Sequence, residues 1–248
     1  MKYYAAVVNE DEIRAACYQP PFQILASYHY FKGKPDLIKM CVEKNYDIII
    51  DSGAFSAANS GKDINIDDYC KFIIDTGVSI YAGLDVIGDA KSTRENTEYM
   101  SKQYGLKPIP TFHMGSNIHD LDALLDYPYI ALGGLVMGKG IENHCDKVWA
   151  YILKNAPKIR VHGFGLTNTE LMARYPWYSV DSSSFKGCKR FGRQAILWNG
   201  FDWKTIEEED YLKYLQGMGF DVKPGITKEE MGVDAYRALN KRRWFLYD

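Results

Sequence analysis

Residues 46–53 read YDIIIDSG, a continuous apolar run that ends in Asp-Ser-Gly. Because the run is of strand length and does not alternate with polar residues, it is typical of a strand buried on both faces of a parallel sheet. Seven other stretches of this kind occur along the chain, at residues 3–8, 23–30, 79–87, 107–113, 129–136, 159–165 and 177–183. The sequence therefore predicts eight buried parallel strands.

Helical patterns lie between most of these strands, with apolar residues three and four positions apart. They cover residues 36–45, 66–77, 93–105, 119–127, 143–156 and 167–175. Asn65, Ser92 and Thr167 stand where helix N-caps belong. Strands that alternate with helices indicate βαβ units, so eight of them predict an α/β protein with a (β/α)8 TIM barrel. A doubly wound open sheet is the alternative.

The length of the chain agrees with one barrel domain. The 248 residues match the roughly 250 residues of a typical barrel, so we expect a single domain over residues 1–248. Two further helical patterns, at residues 204–219 and 227–245, are expected to be C-terminal closing helices.

Composition excludes several classes of protein. Hydrophobic residues make up 46% and charged residues 25%, which is the composition of an ordinary globular protein. The N-terminal apolar stretch is too short for a signal peptide, and no run of about 18 apolar residues exists, so we expect a cytoplasmic protein without a membrane span. The five cysteines form no CxxC pair, which argues against a disulfide framework and a cysteine-built zinc site.

Polar residues follow the predicted strands at the end where barrel active sites lie. Three carboxylates and two histidines are expected to converge there, from Asp51, Asp85, His113, His162 and Asp181. Each residue alone also has a structural interpretation, because a strand-end aspartate is often a helix N-cap and a histidine can be a satisfied core residue. We favour that structural interpretation for His162. The convergence of several strand ends favours a functional site for the group.

The strand-end motifs resemble those of the tRNA-guanine transglycosylase superfamily, in the same order along the chain. The resemblance runs from about residue 46 to residue 185. DSGAFS (51–56) is similar to the family's Asp-Ser-Gly-Gly-(Phe/Tyr)-Gln, GLD (83–85) to its Leu-Asp, and HMGS (113–116) loosely to its Gln-Gly. GGL (133–135) matches Gly-Gly-Leu, GFG (163–165) matches Gly-x-Gly, and VDSSSF (180–185) matches the nucleophile motif.

This resemblance implies a barrel enzyme that replaces guanine in a polynucleotide with a free 7-deazaguanine base, with no cofactor and no catalytic metal. Asp181 would be the nucleophile that attacks the anomeric carbon, and Asp51 the general acid/base. Asp85 would hydrogen-bond the base, Phe55 would stack on it, and His113 would stand where the family has glutamine. The other implied substrate-binding residues are Ser52, Gly133, Gly134, Leu135 and Gly163.

The chain departs from the tRNA-directed members, which carry a zinc site of three cysteines and a histidine after the nucleophile. Only Cys188 is present in that region, which favours the DNA-directed branch over tRNA. Nearby, Lys186, Lys189, Arg190 and Arg193 place four cations in eight residues and are expected to contact phosphates, with a solvated loop as the alternative. Two other functions remain open. One is a nucleosidase or N-glycosidase that uses water, and the other is a non-catalytic barrel that binds a modified base or nucleic acid.

Overall fold

The computed structural model describes residues 1–16, 23–136, 140–183, 195–198, 203–206, 213 and 246–247. Contacts divide the chain into two compact units. The larger unit is Met1–Asn9 with Gln23–Ser182, and the smaller is Glu10–Phe22 with Ser183–Asp248. That the two units form a single domain stays a prediction.

The larger unit contains a seven-stranded sheet. Its strands are β1 (Lys2–Val7), β2 (Ile24–Ser27), β3 (Ile48–Asp51), β4 (Thr111–His113), β5 (Tyr129–Gly133), β6 (Arg160–Gly163) and β7 (Ser179–Ser182). The strand order is β3-β2-β1-β7-β6-β5-β4, and every pairing is parallel. The predicted α/β class with a parallel sheet is therefore confirmed, and seven of the eight predicted strands are present. Six of them are shorter than predicted, and β1 keeps its length but begins one residue earlier.

The remaining predicted strand, at residues 79–87, forms only isolated bridges. The Ala82 N–H donates to the Ile50 carbonyl of β3 at 2.8 Å, and the Gly83 N–H donates to the Ile109 carbonyl at 2.9 Å. Ile109 precedes β4, so these bonds reach both edges of the sheet. Hydrogen bonding therefore continues from β3 to the start of β4 through a segment too short to be assigned as a strand.

Helices follow most of the strands. They are α2 (Tyr28–Phe31), α3 (Pro35–Glu43), α4 (Ala54–Asn59), α5 (Ile66–Thr76), α6 (Ala90–Tyr104), α7 (Ile141–Asn155) and α8 (Thr169–Arg174), while α1 (Glu10–Ala16) belongs to the smaller unit. Among the described residues, no helix is long and apolar enough to cross a membrane.

Each of three helices begins after a residue whose side chain accepts from the N–H groups of the first turn. Asn65 caps α5, as predicted, by accepting from the Asp68 N–H at 3.0 Å. The N-caps of α6 and α8 are Asp89 and Asn168, so the predictions of Ser92 and Thr167 were wrong. In α6 the capping carboxylate of Asp89 lies three residues before Ser92, and in α8 the capping amide of Asn168 lies one residue after Thr167. Both side chains accept strongly from the N–H groups of the first turn.

The α-helix predicted at residues 119–127 is absent. A 3-10 helix at Ile118–Leu121 is followed by turns. The Leu124 N–H donates to the Leu121 carbonyl at 2.7 Å, which is 3-10 spacing. Both leucines are buried, and residues three apart share one face of a 3-10 helix, so the same apolar pattern is satisfied by the tighter turn.

The smaller unit contains α1 and a three-stranded sheet. Its strands are β8 (Ala195–Trp198), β9 (Trp203–Ile206) and β10 (Leu246–Tyr247), in the order β10-β8-β9. β8 pairs with β9 antiparallel and with β10 parallel. The helix predicted from residue 204 was therefore wrong at its start, where β9 lies. Most of the remaining residues of the two predicted closing helices lie outside the described residues.

An apolar layer inside the larger sheet supports the strand ends. Tyr4, Leu25 and Ile49 form this buried cluster. Because alternate residues of a strand share a face, Asp51 lies on the same face as Ile49, two positions further along β3. The polar strand ends therefore lie next to this packed apolar cluster, one layer further along the strands.

Candidate active site

The strand ends of the larger unit surround a cavity of about 430 Å³, a volume typical of small-molecule sites. Eight of the ten residues predicted for catalysis or substrate binding line it, namely Asp51, Ser52, Phe55, Asp85, His113, Gly133, Gly134 and Asp181. Leu135 and Gly163, although described, do not line this cavity. Leu135 is buried, and a Cβ on Gly163 would lie 3.0 Å from the Trp177 ring. Phe164 and Gly165 line the cavity instead.

Asp181 is held through one of its two carboxylate oxygens. It lies on β7, and only 6% of the residue is exposed. Its Oδ1 accepts from the Gly165 N–H at 2.9 Å and contacts His162 Nε2 at 3.1 Å. Among the described residues, none hydrogen-bonds to Oδ2. The carboxylate therefore has one anchored oxygen and one that is available to a ligand in the cavity.

Gly165 makes this anchoring possible because of its backbone conformation. Its φ of 64° lies in the left-handed region, which favours glycine. A Cβ at this position would lie 2.3 Å from Val136 Cγ2. Glycine is therefore the favoured residue for a backbone that turns the N–H of residue 165 toward Asp181, which explains the second glycine of GFG (163–165).

His162 contacts Asp181 but does not line the cavity, which agrees with the structural role favoured from the sequence. The residue is fully buried on β6. Its Nε2 contacts Asp181, and its Nδ1 lies 2.6 Å from Ser179 Oγ. This contact with Asp181 depends on the strand register. His162 pairs with Ser179, and Asp181 lies two residues further along β7 on the same face as Ser179.

Asp51 is the carboxyl group whose proton affinity is raised most clearly. Burial at the end of β3, with the charges of Asp85 and Asp181 close by, raises its pKa to about 7. The Gly53 N–H, which donates to Asp51 Oδ2 at 3.1 Å, opposes this shift only in part. Asp51 can therefore hold or release a proton near neutral pH, as a general acid/base requires.

Asp85 and His113 form a second pair in the cavity. His113 Nε2 lies 3.3 Å from Asp85 Oδ2. Asp85 Oδ1 is buried and has no hydrogen-bond partner among the residues that the structure describes. Because a buried acceptor without a donor is costly, this oxygen is suited to receive an N–H from a bound ligand.

The mouth of the cavity is apolar. Phe55, Ile87 and Val136 line the cavity and have about half of their surface exposed, at 56%, 50% and 56%. Phe55 lies in the first turn of α4, whereas Ile87 and Val136 lie in two loops. Exposed apolar side chains around the polar strand ends suit a flat ring. The edge of such a ring can contact the polar groups, and its faces can contact the apolar side chains.

Asp51→Asn is expected to stabilise the protein increasingly as the pH rises. Because the folded-state pKa of about 7 exceeds the usual 3.8, the folded protein binds the proton more tightly than the unfolded chain. The stability that this proton contributes is complete below about pH 4 and is lost as the pH rises through 7. An asparagine stays neutral, so we expect an advantage on the order of 4 kcal/mol at about pH 8.5 that disappears at about pH 4.

Urea unfolding of both proteins at the two pH values measures this difference. Asp126→Asn is the matched control, because Asp126 is an exposed carboxylate away from the cavity. A difference between Asp51→Asn and wild type that does not change with pH would contradict the raised pKa of Asp51.

The predicted phosphate contacts, Lys186, Lys189, Arg190 and Arg193, lie outside the described residues. Among the residues that the structure does describe, no group of three histidine, cysteine, aspartate or glutamate side chains could hold a metal ion. No family model matches the chain, and no curated protein matches it. Membership of the transglycosylase superfamily thus stays a prediction based on the strand-end motifs.

Proposed function

We propose that this chain is a transglycosylase that exchanges a guanine in a polynucleotide for a free 7-deazaguanine base. The observation that carries the proposal is the pair of aspartates in one cavity. Asp181 has one carboxylate oxygen to which no described residue hydrogen-bonds, and Asp51 has a pKa of about 7. Retaining glycosyl transfer needs two carboxyl groups at one site, one as nucleophile and one as proton carrier.

In the first step, Asp181 Oδ2 forms a bond to the anomeric carbon while the bond from that carbon to guanine breaks. The electron pair of the broken bond leaves with guanine, and protonated Asp51 supplies the proton that makes the base neutral. The carboxylate becomes a glycosyl ester, and Asp51 becomes an anion. Splitting one displacement into two steps lowers the barrier of each.

In the second step, the incoming 7-deazaguanine gives its ring N–H proton to Asp51 and attacks the same carbon. The ester bond breaks, and its electron pair returns to Asp181. Both aspartates are then in their starting states, and two inversions give overall retention. The chemistry is complete with these two groups, so the proposal includes no cofactor and no metal.

Recognition of the base is assigned to Asp85. Its buried and unpartnered Oδ1 can accept from the adjacent N–H groups that guanine and 7-deazaguanines share, while His113 contacts Oδ2. Phe55 is exposed at the mouth and can stack on the ring. A base must leave its stack to reach such a pocket, which suits an aromatic wall.

The proposed architecture is a complete (β/α)8 barrel with residues 80–83 as its fourth strand. The backbone bonds of this segment to Ile50 and Ile109 support it. DNA is proposed over tRNA because the region after Asp181 lacks the cysteine cluster of tRNA-directed members. The cations between residues 186 and 193 are proposed to contact phosphates.

The direct test incubates the protein with a radiolabelled 7-deazaguanine and either duplex DNA or tRNA. We expect label to enter the nucleic acid and one guanine to be released for each base incorporated. Release of guanine without incorporation would replace the proposal with a hydrolase that uses water. Binding without either reaction would favour a non-catalytic barrel.

Asp85→Ala is the variant that tests base recognition in this assay. Loss of one hydrogen bond to a charged group should weaken binding of the free base about 10- to 100-fold. Asp126→Asn, remote from the cavity, should bind and incorporate the base as wild type does. Equal binding by Asp85→Ala and wild type would exclude Asp85 as the acceptor.

A further inference from the structure

A buried chain of polar groups runs from Asp181 away from the cavity. Asp181 Oδ1 contacts His162 Nε2 at 3.1 Å, and His162 Nδ1 lies 2.6 Å from Ser179 Oγ. Ser179 Oγ in turn lies 2.5 Å from the Tyr129 hydroxyl. His162 and Ser179 are both 0% exposed, so water does not compete for these bonds.

Hydrogen-bond chemistry gives this chain one direction. A carboxylate only accepts, so His162 Nε2 must carry the hydrogen that is donated to Asp181. In a neutral imidazole, Nδ1 is then an acceptor, and the Ser179 hydroxyl donates to it. The Ser179 oxygen is left to accept from the Tyr129 hydroxyl. Every group in the chain is satisfied, and each donates toward Asp181.

The ring of His162 is also fixed by packing. Phe164 meets it edge-on, with ring centroids 4.6 Å apart, and Tyr4 does so at 6.1 Å. The Tyr4 hydroxyl is itself held by a 2.6 Å bond to Asp47. A ring enclosed in this way cannot rotate to exchange its nitrogens without displacing its neighbours.

We propose that His162 is a positioning residue that selects the oxygen with which Asp181 attacks, and that Ser179 and Tyr129 hold His162 in the required tautomer. With Oδ1 bound by His162 and by the Gly165 N–H, Oδ2 is the atom that bonds to the sugar carbon. This inference rests on the proposed function for the reaction, whereas the tautomer of His162 is a property of the protein alone.

The same two donors serve both steps. When Oδ2 forms the ester, Oδ1 becomes its carbonyl oxygen and still accepts from His162 and Gly165. When the ester breaks, negative charge returns to the carboxylate, and the two N–H groups stabilise that charge in place, as donors do at other developing anions. Asp51 carries the proton in both steps, so His162 gains and loses none.

The test combines the kinetics of Ser179→Ala with nitrogen-15 NMR of the His162 ring in the full-length protein. The NMR spectrum of wild type should show hydrogen on Nε2. Removing the Ser179 hydroxyl takes away the donor to Nδ1. The Asp181 carboxylate is then the only group that still favours hydrogen on Nε2, so part of the hydrogen should move to Nδ1. The kcat for base exchange should then fall about 10- to 100-fold, while KM for the free base stays unchanged.

Ser27→Ala is the matched control. Ser27 is also buried, on β2, and no described residue hydrogen-bonds to its hydroxyl, so its loss should leave kcat and the His162 spectrum unchanged. Tyr129→Phe is the second variant if Ser179→Ala does not fold. It removes only the last hydroxyl of the chain, and kcat should fall about 2- to 10-fold at constant KM.

Hydrogen on Nδ1 in wild type would overturn the proposal, because Nε2 could then not donate to Asp181. Equal kcat values for Ser179→Ala and Ser27→Ala would overturn it as well. Absence of base exchange by the wild-type protein would instead refute the proposed function. The ring tautomer would in that case still decide whether His162 holds Asp181 Oδ1.

Discussion

Asp181→Asn is expected to abolish base exchange, with a loss of at least about 10⁴-fold in kcat. An amide is too weak a nucleophile to form the glycosyl ester, whereas the carboxylate can attack through Oδ2, to which no described residue hydrogen-bonds. The measurement is a denaturing gel of the protein incubated with end-labelled nucleic acid. Wild type should show a covalent adduct that disappears when free base is added, and the variant should show none.

Retention of the fold separates this loss of activity from misfolding. The asparagine oxygen can still accept from the Gly165 N–H and from His162, so we expect the melting temperature to change little. Asp126→Asn, which removes one exposed carboxylate, should keep full activity. Turnover near the wild-type level in Asp181→Asn would exclude Asp181 as the nucleophile, whatever the behaviour of the control.

The parallel strands could be predicted because burial on both faces leaves a continuous apolar run in the sequence. Their ends were less predictable. The run at residues 23–30 includes Tyr28, which is buried like the strand before it but starts α2. Burial of an aromatic residue satisfies a helix face as well as a strand, so apolar content alone does not locate the boundary.

For residues 79–87, burial could be predicted from the sequence, but strand hydrogen bonding could not. Tyr81, Ala82 and Leu84 are buried, as a strand would require. A Cβ on Gly83 would lie 2.8 Å from Thr97 Oγ1, so the backbone is packed tightly against α6 at this point. Burial was predictable, but the number of ladder hydrogen bonds depends on both neighbouring strands and is not encoded in the segment itself.

Most of the cavity lining was predictable because one rule places every strand end of a parallel sheet on the same side. Partnerships between side chains were not. The histidine at position 162 gave no sign that its ring would bridge Ser179 and Asp181, because that contact depends on the register of β6 against β7. Similarly, the raised pKa of Asp51 depends on burial and on Asp85 and Asp181, which are distant in sequence.

Asp51→Asn is expected to remove the pH dependence of the first chemical step. In the free enzyme, kcat/KM for the polynucleotide requires protonated Asp51, because this group protonates the departing guanine. With a pKa of about 7, the wild-type value should be constant below about pH 6 and fall about tenfold for each unit above about pH 8. The variant has no proton to give, so its value should be about 10²- to 10⁴-fold lower at pH 6 and independent of pH.

The two effects of this substitution have opposite signs, which makes the test specific. Asp51→Asn should lower the rate of the reaction but raise the stability of the protein above neutral pH. Burial and the neighbouring carboxylates disfavour the ionised form of Asp51, and asparagine does not ionise. A substitution that merely damaged the fold would lower both quantities. Steady-state kinetics between about pH 5.5 and pH 9, with urea unfolding of the same samples, measures both. A falling limb near pH 7 that persists in Asp51→Asn would assign the titration to another group and remove Asp51 as the proton donor.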